Sequence, residues 1–516
     1  MSSKIGALQT EKIKSEKFKF KPSAYGKFFF WACTFLFLFI FFTEIHPLVI
    51  YDSDDWSNIS YVRQAYPLWK DWNPCRVFPE TFLPFIAYIA AFLVKPLVHD
   101  YLLSMTLTFG FVISAAIFIY LILFWKWIKV KFKATDTQAI VCTLAFLLFH
   151  FSILKNGWAG NSYLFFSENV TCYFYYVLPN LMNAGIVLWF MAGPTDLNTT
   201  WNNGNLLKKG CLILLIYLSI LSNLFPTIIL ISYIGYNFLL AFISFIKKRQ
   251  KTVWEFIKEN LFSIVCIGFW LISLVYEAAG ERSASIASSS IQIKETLNVL
   301  FAYLYQLNRM TCRIFILAVG IAIVTWIRSK NKREIDKYYR DTVIETLICT
   351  VVVTIFLVLL CGVSGSGYLS RTDVSFGIFF YGFLFVMGSF IYVLQEHPKT
   401  TLAVPLILYI VLMDILVGEQ IFRESNMGSL NSKVCISVSQ DLIDQMVKAD
   451  QEGKTEMTLY VPVGNGKTDD NWPHAKYMGY SVSRTLCRHG IISQIIDVDV
   501  EPAPEMNEKY HIVYSK

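Results

Sequence analysis

The fold of this chain is decided by FFFWACTFLFLFIFF at 28–42 and by YDSDDW at 51–56, which follows shortly after. The first stretch carries no charged residue and is apolar enough to form most of a membrane span. Charged side chains are costly inside a bilayer, so Asp52, Asp54 and Asp55 must lie at the water interface beyond the span. Carboxylates at such a place can bind a cation, activate a hydroxyl group or cap a helix.

The composition is typical of a protein that crosses a membrane many times. Of the 516 residues, 55% are hydrophobic and 16% are charged, and the mean hydropathy is +0.48. A soluble domain has roughly 25% charged residues. The net charge of +7 does not indicate a nucleic-acid partner, because the lysines and arginines lie mostly in short groups beside the apolar runs. The sequence therefore predicts a polytopic α-helical protein surrounded by membrane lipid.

Apolar runs of the length that a span needs, roughly 17 to 25 residues, recur along the chain. The first of them, after the lysine-rich residues 1–27, lacks a small-residue cleavage site and is expected to be an uncleaved span. In all, about twelve spans are predicted, within a range of roughly 11–13, near 28–46, 80–98, 102–125, 137–154, 173–192, 211–224, 226–246, 260–277, 308–327, 343–361, 375–394 and 401–419.

Lysine and arginine groups predict the orientation, because loops rich in these residues stay in the cytoplasm. Residues 1–27 are predicted to be a cytoplasmic N-terminal tail, and positive groups at 247–251 and 328–333 mark further cytoplasmic loops. We expect a multi-pass protein of the cell (plasma) membrane, with a transmembrane region at 28–426. The regions predicted to be extracytoplasmic are 44–80, 155–172, 278–307, 362–374 and 427–516.

One group of lysines conflicts with this count. The lysines within 126–133 are typical of a cytoplasmic loop, yet two full spans between 80 and 125 would place them outside. Either the segment 80–98, which Pro84 and Pro96 interrupt, does not cross the membrane fully, or these lysines break the rule. Both interpretations are open at this point.

The residues from 427 to 516 change in character and predict a small extracytoplasmic α/β domain. Cys435 and Cys487 lie in this region and could form a disulfide there, whereas no CxxC pair occurs to indicate a zinc site. The alternation of residue types predicts strands at Val434–Val438, Met457–Val463 and Ile491–Val498 and helices at Gln440–Ala449 and His474–Arg488.

The loop 44–80 is the richest in groups that can carry chemistry. Beside the three aspartates it holds Arg76 and several tryptophans and tyrosines, which suit the level of the lipid headgroups. Residues Trp56–Trp69 are expected to form an interfacial helix. In a purely structural interpretation, Asp54 or Asp55 caps this helix. Capping accounts for one aspartate and leaves two others for a different role.

The later extracytoplasmic loops add one acid, one tryptophan and several arginines. An arginine at the outer interface runs against the positive-inside bias, and its planar fork suits a phosphate. The alternative for such an arginine is an ion pair with a nearby acid such as Glu281 or Asp373. The candidate residues are Trp158 and Glu168 in one loop, and Arg282, Arg309 and Arg371 in or beside the next two.

This layout resembles the GT-C superfamily of multi-spanning glycosyltransferases, which have an acidic motif in the first extracytoplasmic loop. The matching residues are Asp52, Asp54 and Asp55. In addition, Arg76-Val77-Phe78-Pro79 is similar to the Gly-Arg-Phe turn of bacterial GT-C-like proteins that glycosylate cell-surface polymers, with Cys75 at the glycine position. Members of the superfamily divide on metal use, so a divalent cation is allowed and not required.

The resemblance implies transfer of a sugar, with inversion, from a polyprenyl-phosphate donor to an extracytoplasmic glycan or cell-wall polymer. Asp54 or Asp55 would deprotonate the acceptor hydroxyl, and Asp52 would be its partner or an acceptor ligand. Arginines would stabilise the departing lipid phosphate, and aromatic rings would stack on the sugar. The substrate ligands are therefore expected among Arg76, Glu168, Arg282, Arg309, Arg371, Trp56 and Trp158.

Two other classes of function fit the same layout. A transporter or flippase of lipid-linked saccharides would need ionisable groups within the membrane, for which Glu345 and Asp414 are the candidates. A scaffold that presents the C-terminal region to an assembly machine would need no catalytic residue, and would tolerate changes at all three aspartates. The sequence favours the transferase, because few ionisable groups lie within the apolar runs.

Overall fold

Helices form most of the described chain, with one short sheet near the C-terminus. Nine helices among the described residues are long and apolar enough to cross a membrane. The prediction of an α-helical polytopic membrane protein is therefore confirmed. The structure is a computed structural model, and it describes residues 24–61, 76–154, 163–248, 251–279, 291–330, 332–398, 404–417, 425–427, 430–464 and 472–513.

The helices are numbered here in chain order, with their bounds. The first eight are α1 (Ala24–Ile40), α2 (Ser53–Asn58), α3 (Val77–Ile89), α4 (Tyr101–Lys131), α5 (Asp136–Ser152), α6 (Leu178–Ala192), α7 (Leu197–Asn202) and α8 (Leu206–Ile220). The next eight are α9 (Leu224–Lys248), α10 (Val253–Glu259), α11 (Leu261–Ala279), α12 (Ile293–Tyr305), α13 (Arg309–Ser329), α14 (Glu334–Ser364), α15 (Thr372–Glu396) and α16 (Val404–Val417). The C-terminal elements are α17 (Ser432–Gln451), β1 (Glu456–Val461), α18 (Met478–Arg488), β2 (Asp497–Pro502) and α19 (Pro504–Tyr510).

Side-chain caps begin two of the apolar helices at positions where polar residues interrupt the apolar runs. The carboxylate of Asp100 accepts a hydrogen bond from the N–H of Leu103 at 2.8 Å and starts α4. Thr135 and Gln138 form a capping box at the start of α5. Such caps satisfy the first N–H groups of a helix, which have no partner within it.

Contacts distinguish the two ends of the helical bundle. At one end, Lys27 and Lys129 both pair with Asp136, at 2.5 and 2.7 Å. At the other end, Val49 exchanges two hydrogen bonds of 3.1 Å with Asn426, close to the C-terminal elements. We call the first end the lysine side and the second the tail side. Helix α1 therefore runs from the lysine side to the tail side, and α4 returns.

Helix α3 and its continuation to Val98 lie along the tail side. Arg76, directly before α3, interacts electrostatically with Asp54 on the tail side. Farther along, the ring of Tyr88 packs against His489, directly after α18, with ring centroids 5.1 Å apart. The segment is long and apolar enough to span a membrane, but its start and its middle contact tail-side residues, and the hydroxyl of Tyr101, shortly after its end, bonds to His489 at 2.8 Å.

These contacts favour the interpretation that the segment 80–98 does not cross fully. The lysine group at 126–133 then lies on the lysine side, where Lys129 shares Asp136 with Lys27. The conflict in the charge pattern disappears, because one crossing fewer separates α1 from these lysines. The apolar side chains that α3 and its continuation expose are Phe85, Phe92, Leu93 and Leu97.

Within its described residues, the C-terminal region contains three helices and a two-stranded parallel sheet in which β1 pairs with β2. The predicted strand Val434–Val438 is wrong, because these residues lie within α17. The other predicted strands and helices overlap β1, β2, α17 and α18. Cys435 and Cys487 are both free. Helix α17 is amphipathic, and its buried residues follow the helical period: Cys435, Val438, Ser439, Leu442, Ile443, Met446 and Ala449.

Candidate functional site

The acidic motif forms the short helix α2 on the tail side. Asp52 is its N-cap, and the carboxylate accepts a hydrogen bond from the N–H of Asp54 at 2.8 Å. The prediction that Asp54 or Asp55 caps a helix beginning at Trp56 is therefore wrong, since the helix begins at Ser53. Asp52 is only 2% exposed. Its burial, together with the repulsion of the two neighbouring aspartates, raises its pKa well above the ordinary value.

Asp55 is fully buried and holds α2 against the next tail-side segment. One oxygen of its carboxylate accepts hydrogen bonds from the N–H and the hydroxyl of Thr171, at 2.8 and 3.0 Å. Burial raises the pKa of Asp55 to about 7, although the bonds from Thr171 oppose this shift. Without access to solvent, Asp55 is suited to positioning α2 rather than to contacting a substrate.

Asp54 differs from its neighbours because its side chain is only partly buried. Burial raises its pKa, and the positive charge of Arg76 partly opposes this effect. A carboxylate with a raised pKa that still reaches solvent is a stronger base than an ordinary aspartate and can take a proton from a bound hydroxyl group. Of the three aspartates, Asp54 is therefore the one that can act as a general base.

Arg76 lies opposite Asp54, at the start of α3. Its guanidinium is 5.7 Å from the centre of the Tyr175 ring. Arg76 also interacts electrostatically with Tyr176, Glu277 and Glu80. The tyrosines come from a turn of π-helix at Tyr173–Val177 that leads into α6. Aromatic rings at this position confine the guanidinium without neutralising it.

A second guanidinium, that of Arg371, lies over the ring of Tyr176, with 4.9 Å between the guanidinium carbon and the ring centre. It donates to both carboxylate oxygens of Asp373, at 3.0 and 2.7 Å. The ion pair considered as the alternative for this arginine is therefore present. Glu168 is exposed, and its carboxylate is 4.0 Å from Arg371.

We call Asp54, Arg76, Tyr175, Tyr176 and Arg371 the polar cluster. It joins three of the predicted site residues, and Glu168 lies at its edge. The two tyrosines were not predicted. They belong to the run Tyr-Phe-Tyr-Tyr at 173–176. Such a run is typical of the aromatic start of a membrane span, so it did not indicate a site.

An apolar cavity of about 690 Å³ begins next to the polar cluster. Phe78, two positions after Arg76, is part of its wall. The cavity lies between α3, α4, α6 and α8, and Phe111, Ile119 and Trp189 in its wall are each more than one-third exposed. These exposed side chains indicate that the cavity opens sideways to the lipid. Its lining is Phe78, Phe82, Phe111, Val112, Ala115, Ala116, Ile119, Tyr120, Leu123, Leu178, Leu181, Met182, Gly185, Ile186, Trp189 and Leu215.

The remaining predicted site residues do not join the polar cluster. Trp56 is fully buried, so its ring has no face free for a sugar. Arg309 is exposed at the start of α13, and none of the contacts of the polar cluster involves it. Arg282 and Trp158 lie outside the described residues. Within the described ranges, no three His, Cys, Asp or Glu side chains are grouped so that they could hold a metal ion.

Carboxylates outnumber guanidiniums around the polar cluster. Arg76 interacts with Asp54, Glu80 and Glu277, and Arg371 is paired with Asp373. A phosphate group entering here would meet repulsion as well as attraction.

Comparison of the chain with protein-family models, with curated proteins and with solved structures finds no match. The function is accordingly argued from the polar cluster and the apolar cavity.

Proposed function

We propose that the protein is a membrane glycosyltransferase that moves a sugar from a polyprenyl-phosphate donor to a glycan or cell-wall polymer on the tail side. One observation carries this proposal. A partly accessible carboxylate, Asp54, interacts with the Arg76 guanidinium, and Phe78, two positions after Arg76, lines an apolar cavity that opens to lipid. The order of apolar cavity, guanidinium and carboxylate matches the order of lipid chain, phosphate and sugar in the proposed donor.

In the proposed reaction, the carboxylate of Asp54 removes the proton from an acceptor hydroxyl. The resulting oxygen nucleophile forms a bond to the anomeric carbon of the sugar, while the bond from that carbon to the phosphate oxygen breaks. Attack from the side opposite the leaving group inverts the anomeric configuration. The lipid phosphate leaves with the electron pair, and Arg76 stabilises its negative charge.

The apolar cavity suits the lipid part of the donor. Its volume of about 690 Å³ lies within the roughly 300–1,000 Å³ of small-molecule pockets. Its lining residues come from helices that lie within the membrane or along its surface. A polyprenyl chain is longer than this cavity, so we expect the units nearest the phosphate to occupy it and the rest to extend into the lipid.

The proposal includes an orientation in the cell membrane. The pairing of Lys27 and Lys129 with Asp136 puts two positive groups on one side of the bundle. The positive-inside rule favours the cytoplasm for that side. The tail side, with the polar cluster and the C-terminal region, would then face outward, where a surface glycan is available as acceptor.

The direct test is a transfer assay with the purified protein in liposomes. A panel of radiolabelled polyprenyl-phosphate sugars is offered together with an extracytoplasmic glycan acceptor, with and without a divalent cation. We expect at least one donor to pass its sugar to the acceptor with inverted configuration. If every donor stays intact while the protein is folded, the proposal is contradicted.

The same liposomes test the alternative of a transporter or flippase. Glu345, partly exposed within α14, is the described residue that favours this alternative, because ionisable groups within spans mark transport pathways. A transporter would move an intact lipid-linked saccharide between leaflets without breaking the bond between the sugar and the phosphate. Movement without cleavage would therefore replace the proposed function.

A further inference from the structure

Helix α18 of the C-terminal region is in direct contact with the acidic helix α2. Three pairs of hydroxyl groups join the two helices along a seam, with oxygen–oxygen distances of 3.2 Å for Ser53–Tyr477, 3.0 Å for Ser57–Ser481 and 2.6 Å for Ser60–Thr485. Both partners advance by about one helical turn from each pair to the next. The helices are therefore parallel and in a single register.

The same face of α18 also satisfies the backbone at the end of α2. The hydroxyl of Thr485 donates to the carbonyl oxygen of Trp56 at 2.8 Å, and Arg484 donates to that of Ser57 at 2.6 Å. Arg488 donates to the carbonyl of Ser60 at 2.8 Å. The last carbonyl groups of a helix have no partner within it, and positive charge there is favourable.

Helix α2 needs this support because it has six residues. An isolated helix shorter than about 12 residues is marginal in water. At its N-terminal end the Asp52 cap and the Asp55–Thr171 bonds hold it. At its C-terminal end the carbonyl groups of Trp56 and Ser57 accept hydrogen bonds from α18, so the orientation of the helix depends on both contacts.

We propose that α18 positions α2, and with it the Asp54 carboxylate opposite Arg76, and that the docked form of the C-terminal region is the active form. This inference rests on the proposed function of Asp54. Ser481, Arg484 and Thr485 are positioning residues in this account, since they act through α2 and not on a substrate.

A second set of contacts holds the C-terminal region to the rest of the chain. The contacts between α18 and α2 can therefore be tested separately. Ser439 donates to the carbonyl of Ile50 at 2.5 Å, and Asn426 binds the backbone of Val49. Val49, Tyr51, Leu430, Cys435, Val438 and Ile512 form a separate small apolar core beside these bonds. Changes in α18 at the seam should therefore loosen α2 while the C-terminal region stays attached.

The experiment is hydrogen exchange, read by mass spectrometry, on the full-length protein in micelles. The double variant R484A/T485V removes two bonds to α2 and a third to Ser60, shortly after it. We expect the protection of the amides in 53–60 to fall at least ten-fold, while β1 stays protected. The single variant Thr485→Ser, with Arg484 unchanged, keeps the hydroxyl and should retain most of the protection that the double variant loses. The matched control is Gln445→Ala, which removes bonds to the backbone of Tyr460 far from the seam.

Unchanged protection of 53–60 in R484A/T485V would overturn the inference. Because the measurement needs no substrate, it decides the positioning role even if no donor is ever turned over. In a protein that does transfer sugar, the double variant should lower kcat at least ten-fold and change the KM for the lipid donor less than two-fold, since Arg76 and the cavity are intact.

A cross-link tests the claim that the docked form is active. Ser57 and Ser481 are close enough for the pair S57C/S481C to form a disulfide across the seam. The oxidised pair should keep the activity of the reduced pair within about two-fold. Loss of activity on oxidation, with recovery on reduction, would show that the region must undock and would overturn the claim.

Discussion

At the scale of single residues, burial gives the three aspartates of one short helix different properties. Asp52 and Asp55 are enclosed and bond to backbone groups, whereas Asp54 keeps access to solvent. The spacing of the three aspartates does not show which of them reaches solvent. Adjacent residues of a helix point in different directions, and what packs against each direction is not visible in the sequence. The sequence identified the motif, and the choice of Asp54 over Asp55 required the contacts of Thr171.

Arg76 is expected to bind the phosphate of the donor through its planar fork. Arg76→Lys keeps the charge but loses the two-pronged geometry, so the KM for the lipid donor should rise about ten-fold. Steady-state kinetics with a donor dilution series measure this. Arg340→Lys is the control, because Arg340 pairs with the neighbouring Asp341 within α14. An unchanged KM in Arg76→Lys would remove the arginine from the phosphate site.

Asp55 should make stability depend on pH. Its pKa is raised from 3.8 in the unfolded chain to about 7 in the fold, so the folded protein binds more protons between these values. The stability contributed by the protonated form is complete below pH 4 and is lost as the pH rises to about 7. The unfolding temperature in detergent should fall by a few degrees over this window.

In Asp55→Asn the side chain cannot titrate, and the slope of unfolding temperature against pH should be flatter. Thermal unfolding followed by intrinsic fluorescence, in steps from pH 4 to pH 7.5, measures both proteins under one protocol. An equal slope in the variant and in the wild type would show that Asp55 is not the responsible group.

At the scale of elements, α3 shows what an apolar pattern can predict. The hydropathy of 80–98 is that of a span, and length and composition cannot distinguish a crossing helix from one that lies along the membrane. The lysines at 126–133 carried the necessary information, because their charge conflicted with a full crossing. Contacts at its start and in its middle, with Asp54 through Arg76 and with His489 through Tyr88, favour the helix that stays on the tail side.

The apolar cavity can be filled from within by one substitution. Ala116 of α4 lines it, and Ala116→Phe would occupy space that we assign to the first units of the lipid chain. The KM for a long-chain donor should rise at least ten-fold, with a smaller change for a donor whose lipid is truncated to a few carbons. Val275→Phe is the matched control, because Val275 is 68% exposed on α11. Equal effects on both donors would contradict the assignment.

At the scale of the whole molecule, the C-terminal region contacts the helix α2 that carries Asp54. The alternation of residues after 427 predicts its later elements. At Val434–Val438 it predicts a strand where the structure has α17, because a short apolar run with β-branched residues fits the helical and the strand period equally well. Docking on α2 could not be predicted, because the seam consists of serines, a threonine and a tyrosine whose hydroxyl groups suit any polar surface.

The orientation of the molecule is testable in intact cells. Lys433→Cys, exposed on the tail side, should react with a membrane-impermeant maleimide added from outside. Lys330→Cys, exposed at the end of α13, should react only after the membrane is permeabilised. Cysteine-free backgrounds serve as controls for native thiols. The reverse pattern of labelling would contradict the orientation and place the polar cluster in the cytoplasm.

The central claim is that Asp54 is the base of a sugar transfer. The most direct measurement is single-turnover transfer by Asp54→Asn, compared with wild type and with Asp54→Glu, at saturating lipid-linked donor. Removal of a general base costs roughly 10²–10⁴ in rate. We predict a loss of at least about 100-fold in Asp54→Asn, partial activity in Asp54→Glu, and unchanged protection of 53–60 against hydrogen exchange. Transfer by Asp54→Asn at the wild-type rate would contradict the account.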